Sequence, residues 1–187
     1  KRDLLLKLGV EKITAMDLRG PGTIYQVTLR TPDPAKLAGV QLRVYWDQSD
    51  TSEQVASGDL PILALFSSEL APPSMSSLVL GASFPEPDSP TAELWLKLPM
   101  PFKSRAFWTL ENNTSAEVEL ELTVATANQV PQAAFGYFTT QYFDTKALAK
   151  LELHPLAKVE GRGRLAGVCM SMQGHGISRP EQSPDPY

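Results

Sequence analysis

Two prolines one residue apart, Pro99 and Pro101, sit between two strand-like runs and constrain this chain more than any other feature. Before them, Leu94, Leu96 and Leu98 alternate with Trp95 and Lys97, the two-residue period of a strand. After them comes Ala106-Phe107-Trp108-Thr109-Leu110, a second strand. Proline fixes φ and offers no backbone donor, so it sits poorly in a central ladder. A strand, a rigid Pro-x-Pro corner and another strand predict a junction in a β-sandwich.

The rest of the chain repeats the pattern of short strands and strong turns. Residues 1–9 read as a helix or an N-terminal arm, with Leu4, Leu5, Leu6 and Leu8 needing cover. Glu11 to Asp17 reads as a strand, and Leu18-Arg19-Gly20-Pro21-Gly22 as a tight turn. Thr23 to Thr31 is expected to place Tyr25, Val27 and Leu29 on one face. Gly39 to Asp47 sets Leu42, Val44 and Trp46 against Gln41, Arg43 and Tyr45. An apolar run follows Gly58-Asp59-Leu60-Pro61, and residues 67–90 read as a long excursion rich in Ser, Pro and Ala. Glu111-Asn112-Asn113-Thr114-Ser115 is a turn that also carries two overlapping glycosylation sequons; the hairpin reading is the plainer one. From Glu117 to Ala127, Val118, Leu120, Leu122 and Val124 face in while Glu119, Glu121 and Thr123 face out. Phe135 to Phe143 is aromatic and strand-like, and Leu165 to Met172 reads as a final strand.

Short strands at this spacing, sixteen prolines and no convincing amphipathic helix define an all-β protein. The specific expectation is a jelly-roll β-sandwich of about eight antiparallel strands with long loops, spanning residues 10–176, with a proline-rich exposed tail at 177–187. The net charge of -4 argues against a nucleic-acid partner. No apolar run approaches the roughly 18 residues of a membrane helix. Cys169 is the only cysteine, so no intrachain disulfide forms, and both a reducing and an extracellular compartment stay open. The chain begins without Met or a signal-peptide core, which suggests a processed or truncated chain.

No stand-alone catalytic motif is present. Gly161-Arg162-Gly163 opens no helix and reads as a turn. His154 and His175 lack metal-ligand spacing, so no metal or cofactor is expected; Cys169 reads as a small buried hydrophobe. Glycoside chemistry needs two carboxylates across the bond, and the candidates are Asp47, Asp50, Asp59, Glu93 and Glu111. No pair stands out among them. Trp46-Asp47, an aromatic ring beside a carboxylate, suits a sugar; the plainer reading puts Trp46 in the core and Asp47 at a turn. Gln141 and Tyr142, in the aromatic run, and His175, between two glycines, complete the candidate substrate contacts.

Several segments, in order, resemble one group of carbohydrate enzymes. They are Gly20-Pro21-Gly22-Thr23-Ile24, Leu42-Arg43-Val44-Tyr45-Trp46-Asp47, Gly58-Asp59-Leu60, Leu98-Pro99-Met100-Pro101-Phe102-Lys103-Ser104, Leu110-Glu111-Asn112, Phe138-Thr139-Thr140-Gln141-Tyr142 and Val159-Glu160-Gly161-Arg162-Gly163-Arg164-Leu165-Ala166-Gly167. The group is the double-jelly-roll glycoside hydrolases that include α-D-fructofuranosidases, difructose-dianhydride enzymes and D-arabinofuranosidases. The resemblance spans roughly residues 16–172 and corresponds to the first jelly roll only. It departs from the group at Tyr25-Gln26, where a Trp is usual, and at Thr139-Thr140, where His-Ala is usual. The group's glutamate pair lies in Gly-Asp-Glu and Gly-Thr-Glu-Asp segments of the second jelly roll, and neither occurs here. The resemblance thus implies a carbohydrate-active protein whose catalytic half lies on a missing segment or a partner chain. It also implies a homo-oligomer, a trimer or a multiple of one, or a second jelly-roll partner. The alternative is a non-catalytic jelly roll for carbohydrate binding or capsid-like assembly.

Overall fold

The computed structural model describes residues 2–9, 11–47, 55–68, 74–84, 90–130, 135–144 and 156–171. Its strands are β1 (Arg2–Leu8), β2 (Lys12–Arg19), β3 (Gly22–Thr31), β4 (Val40–Trp46), β5 (Gly58–Pro61), β6 (Met75–Ser76), β7 (Leu80–Ser83), β8 (Ala92–Leu96), β9 (Met100–Phe102), β10 (Arg105–Asn112) and β11 (Val118–Ala127). A 3-10 helix covers Pro34–Gly39, and one helical turn, α1, covers Ile62–Leu65.

The strands form two antiparallel sheets. One runs β1-β11-β3-β8-β7-β6, with β9 also on β3; the other runs β2-β10-β4-β5. The pairing is nested. β4 pairs β5, β3 pairs β8 and β9, β2 pairs β10, and β1 pairs β11. A single antiparallel ribbon rolled so that successive rungs fall on opposite sheets is a jelly roll. The hairpin β6–β7, inside the long excursion, extends the first sheet beyond β8.

Alternation places the core between the sheets. Leu42, Val44 and Trp46 of β4 are buried, as are Val118, Leu120, Leu122 and Val124 of β11. They meet Leu29, Leu94 and Trp108 from the remaining strands. Close-packed apolar contact of this kind, rather than strand propensity, sets the stability.

Several expectations change. The first nine residues contain β1, an edge strand paired residue by residue with β11 from Arg2↔Val124 to Leu8↔Val118, and not a separate arm. Tyr25 does not share a face with Val27 and Leu29: a bulge opposite Ala125 and Thr126 turns it outward, 46% exposed, and Ile24 takes the inward place.

The Pro-x-Pro stretch is also not the corner itself. β8 stops at Leu96, and β9 resumes on the same neighbour, with Ile24↔Met100, Thr23↔Pro101 and Gly22↔Phe102. The prolines interrupt one lane without ending it. The change of sheet comes after Phe102, at Lys103-Ser104.

Finally, residues 156–171 join no sheet, and all of them are exposed, Cys169 included. Met172, His154, His175, Asp50 and the 177–187 tail lie outside the described residues. No helix among the described residues is long and apolar enough to cross a membrane.

Candidate functional site

The place where the ribbon changes sheets is tied by one carboxylate. Asp47 follows β4 with φ at 54°, a conformation that Asp tolerates better than most residues. Its Oδ1 accepts the backbone N–H of Ser104 at 2.6 Å, of Arg105 at 2.9 Å and of Lys103 at 3.0 Å, and the Ser104 hydroxyl at 3.1 Å. Its Oδ2 accepts the Lys103 N–H at 2.9 Å and the Tyr137 hydroxyl at 2.7 Å. In return, the Asp47 N–H donates to the Arg105 carbonyl at 2.8 Å. Burial alone would raise the carboxyl pKa. The Tyr137 hydroxyl and the three backbone amides outweigh it and hold the group at about 2. The same bond pushes the Tyr137 hydroxyl up to about 12. Asp47 is therefore ionised at neutral pH with its acceptor positions occupied. It is a structural knot and not a general acid or base.

Trp46 points the other way, into the core, and is 4% exposed. Its ring stacks on Phe102 at 6.4 Å and meets Trp108 edge-on at 6.3 Å. It offers no face to a sugar, so the expected aromatic platform is corrected to a core residue. One polar atom remains useful: the indole N–H donates to the Phe138 carbonyl at 2.6 Å.

Trp46 and Asp47 therefore hold the same segment, residues 135–144, at Phe138 and Tyr137. A third tie is the Thr140 N–H, which donates to the Ser57 carbonyl at 3.2 Å. Gly58 makes this approach feasible, since a Cβ there would lie 2.5 Å from the Thr140 hydroxyl oxygen. Phe135 meets Tyr137 edge-on at 5.7 Å, with the Lys103 ammonium 5.9 Å from the Phe135 ring centroid. The segment is a strap without strand pairing, fixed to the jelly roll at points.

Between the strap and β5 lies an open groove of about 400 Å³, lined by Ala56, Gly58, Asp59, Thr140, Gln141, Tyr142, Phe143 and Lys158. Tyr142 and Phe143 are 37% and 43% exposed. Gln141 has a structural duty as well. Its amide N–H donates to the Lys158 carbonyl, and its Oε1 accepts the Lys158 N–H at 2.7 Å. This clamp brings the 156–160 run to the groove. Asp59 accepts the Gln41 amide at 2.7 Å and pairs with Arg43 at 3.2 Å. Arg43 also reaches Glu111 at 2.5 Å; that bond, chiefly, raises the guanidinium pKa.

Of the sequence candidates, the fold links Trp46, Asp47, Gln141 and Tyr142 through the strap; of these four only Gln141 and Tyr142 line the groove, where the carboxylate candidate Asp59 joins them. Every described carboxylate candidate has a partner: Asp47 the knot, Asp59 and Glu111 the Arg43 guanidinium, Glu93 the Arg30 guanidinium at 2.6 Å. No cluster of metal-binding side chains occurs among the described residues. Asn112 settles the sequon question for its own position. It is 1% exposed, with its amide N–H groups on the Leu8 and Ala116 carbonyls and its Oδ1 on the Thr114 N–H and hydroxyl, so it works as a turn residue. Tyr137 and Lys158 were not singled out in sequence; a tyrosine beside Phe138 in a non-helical aromatic run was the available signal for the first. Compared with known proteins, the chain matches no protein-family model and no curated sequence.

Proposed function

We propose that this jelly roll is a carbohydrate-binding unit related to the furanoside-processing double-jelly-roll hydrolases, and that it binds sugar at the groove without cleaving it. The observation that carries the reading is the groove. Two part-exposed aromatic rings, Tyr142 and Phe143, stand beside the polar Asp59, Gln141 and Lys158 in an open cleft. Apolar sugar faces pack on aromatic rings while hydroxyls meet polar groups at the rim. Binding without hydrolysis follows from the engagement of the carboxylates: an acid and a nucleophile must face one bond, and the described candidates are each held by their own partners. The order of sequence segments supports the furanoside class.

Calorimetric titration with fructo- and arabinofuranosyl oligosaccharides tests the reading. Binding by the wild type and weaker binding in Tyr142→Ala are expected, with no turnover of p-nitrophenyl furanosides. Turnover by this chain alone would sink the non-catalytic part. Unchanged affinity in a folded Tyr142→Ala would remove the groove.

A second reading, assembly with further copies or with another jelly roll, is favoured by the 156–171 run. There Val159, Leu165 and Met170 are 71%, 73% and 63% exposed. Sedimentation of wild type against Leu165→Ser tests it: a self-associating wild type and a dissociated variant are expected, and a concentration-independent monomer in both would exclude self-assembly.

A further inference from the structure

The outer face of the first sheet carries a feature that neither the groove nor the knot uses. Trp95 sits at the middle of β8, between Leu94 and Leu96, which are 0% and 4% exposed in the core. Its own side chain therefore points outward, and it is half-buried. In register it lies between Thr28 of β3 and Gly81 of β7. A Cβ on Gly81 would fall 2.0 Å from the indole Cζ2. The ring therefore occupies the space a side chain at position 81 would fill, reclining on the glycine backbone. The neighbours on this face are polar. Glu93 and Arg30 are bonded to each other at 2.6 Å, and the Gln26 amide donates to the Thr28 hydroxyl at 3.0 Å.

We propose that this face is a second carbohydrate subsite, with the Trp95 ring as its platform. The indole stacks against the CH face of one sugar ring, its N–H meets a hydroxyl, and Glu93, Arg30 and Gln26 bond further hydroxyls. The ligand class rests on the function proposed above, while the location is independent of the groove. The setting favours sugar over protein. A protein contact surrounds its aromatic anchor with apolar surface and keeps polar groups at the rim. Here an ion pair and an amide stand directly beside a single ring, the arrangement a polyhydroxylated ring with one apolar face requires.

The test uses tryptophan fluorescence, because the other two tryptophans, Trp46 and Trp108, are only 4% and 1% exposed. Acrylamide quenching of wild-type emission thus reports mainly on Trp95. Short fructo- and arabino-oligosaccharides are expected to reduce that quenching. Trp95→Ala is expected to weaken this binding about tenfold by calorimetry, the loss of one aromatic contact. Gly81→Ala keeps the tryptophan but displaces its ring, and is expected to act in the same direction should Trp95→Ala fold poorly. Tyr142→Ala, in the groove, is expected to leave the Trp95 signal intact. Sugar binding with no protection of Trp95 and with unchanged affinity in Trp95→Ala overturns the platform and leaves the groove standing. Neither heat nor protection with any oligosaccharide overturns both. A sedimentation change in Trp95→Ala without sugar protection assigns the face to a protein contact and also overturns it.

Discussion

The rolled ribbon and the segments that follow it use similar sequence patterns and reach opposite ends. In the ribbon, Leu29 and Leu120 are 0% exposed and Trp108 1%, each between two laddered strands. Beyond β11, Val159 and Leu165 are 71% and 73% exposed, and neither segment, 135–144 or 156–171, adds a rung. The strap at 135–144 is held by Trp46, Asp47 and Ser57, through one bond each. The contrast shows that alternation alone does not make a strand; the run must also pair and bury its apolar face. It also implies unequal local stability: the ribbon opens with the whole fold, and the strap opens by losing a few polar contacts and the packing of Phe138 on the core.

Substitutions can break or sharpen that contrast. The largest effect is expected from Trp108→Ala, whose cavity in the ribbon core should cost about 3–5 kcal/mol in denaturant unfolding. Asp47→Asn should cost about 2–3 kcal/mol, because charge-assisted bonds to the Lys103–Arg105 corner and the strap are lost together. The pH profile separates it from a packing defect. The folded carboxyl sits at about 2 against its ordinary 3.8, so its contribution is full above 3.8 and is lost as pH falls through about 2. Wild-type stability should drop across that window, and Asp47→Asn should drop less. Asp17, held below its ordinary value by the Arg105 guanidinium, titrates in the same direction and remains in the variant.

Smaller effects belong to the strap. Gly58→Ala should displace Thr140 and raise amide exchange there, at about 1 kcal/mol of local stability, with little change in the ribbon melt. Leu165→Ser should change unfolding by less than about 0.5 kcal/mol, since the residue contacts little. A loss comparable to that of Trp108→Ala would show that the 156–171 run is packed after all.

The jelly roll was legible because its signals are local. Val118, Leu120, Leu122 and Val124 show which face of β11 is buried without knowledge of its neighbours. The same periodicity misplaces Tyr25, because a bulge shifts the register by one residue and sequence alternation carries no mark of it. It also misleads at Leu165 to Ser171, where glycines at 161, 163 and 167 were the hint against a strand. Of the site, Gln141 and Tyr142 could be found as polar and aromatic residues in one run. The role of Asp47 could not. Its donors come from residues 103–105 and 137, brought together only by the change of sheet, and no spacing in the chain encodes that meeting. The motif Pro99-Met100-Pro101-Phe102-Lys103-Ser104 was conspicuous for its prolines, yet the backbone amides of Lys103 and Ser104 make its decisive contacts.

The central claim is that Asp47 ties the sheet-changing corner and the groove-building strap into one unit. Hydrogen exchange followed amide by amide in wild type and Asp47→Asn tests it most directly. The account predicts that Lys103, Ser104 and Arg105 lose protection together with Thr140, while Leu120 in β11 stays protected. Faster exchange at the corner with Thr140 unchanged would contradict it, because the strap would then be held independently of the knot.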